Sequence, residues 1–175
     1  LPPAILIIGI GNPSRGDDAL GPLLIERLEA LNLPNVELLT DFQLQVEFAL
    51  DLQNRQQVIF IDASLNAEPP FEFTTVLAVE DHSYSSHALS PGAVLHAYRK
   101  LYGEPPPAFV LAIRGESFEL GEGLSDTAMK HLEIATRWLR ERLTVGPTDL
   151  IFIPSTLPTD SMPPSKPASV SDRSD

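Results

Sequence analysis

The stretch IGIGNPSRGDDALG, residues 8–21, decides how this chain is read. It follows the apolar run Ile5-Leu6-Ile7-Ile8 and carries Gly9 and Gly11, so it reads as a buried strand turning sharply into a helix. Dinucleotide-binding loops are built in this order, with the first N–H groups of the helix receiving phosphate. Two features oppose that reading. Ser14 stands where a third glycine belongs, and Asp17 and Asp18 occupy the helix start, where carboxylates compete with phosphate for the same N–H groups. The lysine of a P-loop is absent as well. One aspartate has a local explanation, as a cap on its own helix. With two in succession, one is left to face whatever lies above the sheet.

Outward from this loop, strand-like runs alternate with helical patterns. Strands are expected over residues 4–10, 36–39, 57–63, 71–79 and 108–113, and helices over 17–31, 44–53, 91–102 and 125–143. The first helix gathers Leu20, Leu23, Leu24, Leu28 and Leu31 on one face, and the last gathers Ala128, Leu132, Ala135, Leu139 and Leu143. Continuous apolar strands alternating with helices imply an α/β fold, a three-layer sandwich with a mainly parallel twisted sheet and helices on both faces. Residues 71–79 alternate with one wetter face, which leaves their place in the sheet open, antiparallel pairing included. Residues 1–145 are expected to form a single domain. Residues 146–175 are rich in Pro, Ser and Asp and, after a short LIFIP run, hold too few apolar groups to offset their ordering entropy. They are expected to form a disordered tail with no part in chemistry.

Composition removes several function classes. A formal net charge of −12 opposes nucleic acid as a partner, since phosphate binding needs a basic face. The chain has no cysteine, which excludes disulfides, thiolate metal sites and a Cys nucleophile, and fits a reducing compartment such as the cytoplasm. No apolar run reaches the ~18 residues of a membrane span, and no signal-peptide pattern is present, so no membrane partner is expected. Neither a G-x-S-x-G elbow nor an H-E-x-x-H helix occurs, which disfavours serine chemistry and a preformed zinc-protease site.

What remains is a set of carboxylates and imidazoles. Asp62 ends the strand VIFID, and in a parallel sheet that end is the ligand-binding edge, from which the first loop also emerges. His82 and His87 lie in the polar loop DHSYSSHALSPG, whereas His96 and His131 fall inside helices and read as surface or packing residues. An Asp/Asp/His set on the carboxyl edge of a sheet suits a borderline divalent metal with room for outside ligands.

These residues carry a resemblance. GIGNPSRGDDALG is similar to the G-[IV]-G-N-x4-D-[DE]-x2-G signature of the nickel–iron hydrogenase maturation endopeptidases. VIFIDA resembles that family's second motif, SSHALSPG its histidine motif, and AIRGESFELGEGLS its late Gly-rich stretch. The four occur in the family's order and span nearly all of the part expected to fold. The resemblance implies an endopeptidase, aspartate-dependent, that trims a C-terminal extension from the hydrogenase large-subunit precursor once nickel has been inserted. Carried over motif by motif, it implies Asp18, Asp62 and His87 as both the catalytic and the nickel-recognising residues, with nickel supplied by the precursor. Two departures stand out. Asp18 replaces a frequent Glu and is one methylene shorter, and TDFQLQ follows the second strand in place of an Asp-Gly-Gly-Thr stretch, as in the branch serving soluble bidirectional NAD-coupled hydrogenases. A monomeric enzyme is expected. Two rivals stay open at this point: a nickel-binding maturation chaperone that does not cut, and a nucleotide-binding domain with a degenerate loop.

Overall fold

The computed structural model describes residues 1–81 and 89–144. Five strands form one sheet: β1 (Ile5–Ile10), β2 (Val36–Asp41), β3 (Gln57–Ser64), β4 (Phe71–Val76) and β5 (Ala108–Arg114), in the order β2-β1-β3-β5-β4. All neighbours run parallel except β4, which pairs antiparallel with β5 at the edge. Its Phe71 and Phe73 pack against the core on one sheet face, whereas on the other face only Val76 at its end meets the second core, which accounts for its alternating pattern. Among the described residues the α-helices are α1 (Leu20–Glu29), α2 (Phe48–Asp51), α3 (Pro91–Tyr102) and α4 (Asp126–Thr144).

The strands bury both faces, and alternation sorts their side chains between two cores. Ile5, Ile7, Ile59, Ile61 and Leu111 pack against α1 and α4 through Leu20, Leu24, Leu28, Leu132 and Leu139. Leu6, Ile8, Val58 and Phe60 pack on the opposite face against Ala49 of α2 and Val94, Leu95 and Tyr98 of α3. The expected three-layer α/β sandwich is therefore present. Close seating of α1 depends on Gly21: a Cβ there would overlap the Ile10 carbonyl and stand 2.8 Å from that of Ile61.

Two helices differ from expectation. The pattern over residues 17–31 divides into a 3-10 turn, Gly16–Ala19, and the shorter α1. The N–H groups of Gly16 and Asp17 donate to the carbonyls of Glu122 and Ser117, in another loop, so a regular first helical turn does not form there. At the far end Leu31 lies beyond the helix and is exposed. The helix expected over 44–53 contracts to the single turn of α2. Among residues 42–47 only Leu44 is buried, so no apolar stripe holds a longer helix to the core. Tight turns, such as Phe48 N–H to Gln45 O at 3.1 Å, carry the chain instead.

Candidate active site

The first loop is built around Asn12. Gly11 has φ +144°, and a Cβ at this position would overlap the Asp18 carbonyl, so glycine is required on both counts. The Asn12 N–H donates to Asp18 Oδ2 at 2.8 Å, while its side-chain oxygen accepts the Ser14 N–H at 2.9 Å and its carbonyl the Arg15 N–H at 3.1 Å. This folded-back turn returns the chain over the end of β1 and pins the Asp18 carboxylate there, half-buried.

Asp62 comes from the adjacent strand. In the β1–β3 register Gly9 faces Ile61, so Asp62 follows directly at the carboxyl edge, and by alternation it shares the face of Val58 and Phe60. Its Oδ1 accepts the N–H of Ala63 at 2.8 Å. Burial pushes its pKa up to about 7; the Ala63 N–H opposes the rise, and the negative charge of Asp18 adds to it. Two carboxylates from separate strand ends thus meet as like charges, with no cationic side chain among the described influences on Asp62. The chain leaves β1 toward β2 on one side and reaches β3 on the other, so the pair sits at the point where strand order reverses.

Asp17 does something the sequence reading missed. It makes no side-chain cap on its own turn and is fully buried. Its Oδ2 accepts the N–H groups of Glu116 (2.7 Å) and Ser117 (3.2 Å) and the hydroxyl of Ser125 (2.8 Å), and its Oδ1 accepts the Ser125 N–H at 2.7 Å. Ser125 in turn caps α4 through the Ala128 N–H at 3.1 Å. Burial raises the Asp17 pKa, but the hydrogen bonds from Ser125, Glu116 and Ser117 outweigh it and hold the carboxyl below its ordinary range. The cap assignment is corrected. Asp17 stitches the late Gly-rich loop to the loop that carries Asp18, and no local sequence signal reports partners about a hundred residues away.

No protein-family model matches the chain. The hydrogenase 2 maturation protease of Escherichia coli (strain K12) is 30% identical over 139 residues, which is 75% of this chain and 85% of the relative. The chain belongs to the hydrogenase maturation protease family. The crystal structure of the NiFe hydrogenase maturation protease HycI from Thermococcus kodakarensis KOD1 superposes with a TM-score of 0.64 at 26% identity, covering 79% of this chain and 91% of that one. The hydrogenase maturating endopeptidase HybD from Escherichia coli gives 0.63 at 27% identity with the same coverage.

The protease is a peptide-bond hydrolase, and of the three expected site residues Asp18 and Asp62 are brought together. His87, like His82, lies outside the described residues, as does the segment 146–175. Among the described residues no group of three or more His, Cys, Asp or Glu side chains assembles that could hold a metal. His131 is a packing residue: it is buried, and its Nδ1 lies 2.8 Å from the Arg114 carbonyl, which makes that nitrogen the protonated one. No helix among the described residues is long and apolar enough to cross a membrane.

Proposed function

We propose that this protease removes the C-terminal extension of a nickel–iron hydrogenase large-subunit precursor after nickel insertion, and that Asp18, Asp62 and His87 read the nickel the precursor carries. The observation that carries the reading is the uncompensated acidic pair at the sheet's switch point. Burial, with the nearby Asp18 charge adding to it, raises the pKa of Asp62, and a divalent ion held beside the pair would offset that cost. His87 enters through its motif, and α3, which begins shortly after it in sequence, covers the sheet face shared by Asp62.

Nickel here is cargo on the substrate. Two aspartates and one imidazole, without a thiolate, make a weak site for a borderline metal, so ligands on the precursor complete it. A protease with its own tightly held nickel would lose the ability to tell an empty precursor from a filled one. With a pKa of about 7, Asp62 in the free enzyme is poised to accept or return a proton near neutral pH, the property a hydrolytic acid or base requires. We place the enzyme in the cytoplasm as a monomer, in keeping with a chain that has no cysteine.

The test is processing of metal-free and nickel-loaded precursor under chelation strong enough to remove free nickel, read by the mass of the large subunit. Only the loaded form is expected to be cut. Equal cleavage of both would reject nickel gating, and binding without cleavage of either would favour a chaperone.

A further inference from the structure

On the β2 side of the acidic pair lies an open cleft of about 360 Å³, lined by Gly11, Pro13, Pro22, Thr40, Asp41 and Phe42. Its inner wall runs into the candidate active site, because a Cβ on Gly11 would stand 3.3 Å from Asp18 Oδ1. The Gly11 N–H donates to the Asp41 carbonyl at 3.1 Å, so this wall continues the sheet and is fixed. Asp41 Oδ1 accepts the Phe42 N–H at 2.6 Å, and among the described residues no donor reaches its other oxygen. Phe42 itself is 65% exposed.

We propose that this cleft receives an apolar side chain of the precursor next to the scissile bond, and that Phe42 is a specificity-determining residue. The inference rests on the endopeptidase reading centred on Asp18 and Asp62. An endopeptidase holds chain on both sides of the bond it cuts, and an extended chain advances only ~3.3 Å per residue. A residue one or two positions from a bond held at Asp18 therefore reaches the cleft. Pro13, Pro22 and Phe42 give it apolar walls, while Thr40 and the spare oxygen of Asp41 offer acceptors for backbone N–H groups. The volume lies near the low end of the ~300–1,000 Å³ range of ligand sites, fitting one or two side chains rather than a folded element. A lone exposed aromatic is ordinary, but one beside two prolines and a reacting centre has the composition of a binding anchor.

The experiment measures processing of nickel-loaded precursor by the wild type, Phe42→Ala and Phe42→Leu. Each enzyme is also tested on precursors with single alanines at the two positions on either side of the cut. Phe42→Ala is expected to lower kcat/KM by about tenfold or more, mainly through KM, with Phe42→Leu recovering most of it. One precursor position should lose rate with the wild type and lose little more with Phe42→Ala. Because Phe42 is exposed, its variants should keep the wild-type thermal midpoint, and far-UV circular dichroism checks this. An unchanged kcat/KM in Phe42→Ala, or losses that multiply independently at all four positions, would overturn the subsite alone. Failure of the wild type to cut the loaded precursor would overturn the endopeptidase reading beneath it.

Discussion

Replacing Asp62 by asparagine should make the protein more stable at alkaline pH while ending its activity. The folded state holds Asp62 at a pKa of about 7, against 3.8 for an unperturbed aspartate. A raised carboxyl pKa means the folded protein keeps a proton that the unfolded chain releases. The contribution of neutral Asp62 is therefore fully present below pH 3.8 and is lost as pH rises through 7. At 1.36 kcal/mol per pH unit, the cost of ionising Asp62 accumulates to about 4 kcal/mol above pH 7, of which about 2–3 kcal/mol falls between pH 5 and pH 8. Asparagine carries no charge at any pH, and its side-chain oxygen can still accept the Ala63 N–H. Urea denaturation of both proteins at pH 5, 6.5 and 8, with chelator present, should show a stability gap in favour of Asp62→Asn that widens with pH at constant m-value. A gap that stays flat across the three pH values would refute the reasoning, because no raised pKa would then be linked to folding.

Asp17→Asn should cost about 2–4 kcal/mol, because an amide cannot accept all four buried hydrogen bonds, whereas Ser125→Ala should cost about 1–2 kcal/mol. A double-mutant cycle by urea denaturation should show strong coupling between the two. The lowered pKa of Asp17 adds a pH signature: its stabilisation is present above pH 3.8 and disappears as pH falls through its folded value, so wild type and Asp17→Asn should converge in acid. Gly21→Ala should destabilise by about 1–3 kcal/mol, since α1 must move away from Ile10 and Ile61; a thermal midpoint equal to wild type would contradict the close seating. On the proposed nickel-reading role of Asp62, processing of nickel-loaded precursor should weaken by up to about tenfold per pH unit once acid protonates it, because proton and metal would compete for the same carboxylate. A rate independent of pH from 5 to 8 would count against Asp62 as a ligand.

Much of the architecture was legible because burial leaves local patterns. Strands β1 and β3 are apolar without interruption since helices cover both their faces, and α4 shows its inward face at helical spacing. The position of Asp62 was legible for a related reason: a carboxylate ending a buried parallel strand emerges at the carboxyl edge of the sheet. The glycines and the acidic pair of the first loop likewise declared a sharp turn that repels phosphate. The apolar spacing around α2 misled because Leu44, Ala49 and Leu52 all reach the core, yet only Ala49 does so from the helical turn itself.

Other features depend on which elements lie side by side, and no periodicity records that. The antiparallel edge position of β4 follows from pairing with β5 across more than thirty intervening residues. Asp17 looked like a cap for the turn it begins, yet its donors come from residues 116, 117 and 125, far along the chain. The cleft beside Asp18 exists only because β1 and β2 are neighbours and bring residues 11–13 against 40–42. By itself, then, the sequence determined the α/β layering, the turn after β1 and the candidacy of Asp18 and Asp62. Tertiary structure alone decided the strand order, the burial that raises the pKa of Asp62, and the partners of Asp17. Periodicity reports how one element meets the core, whereas hydrogen-bond partners and desolvation depend on what every other element brings to the same place.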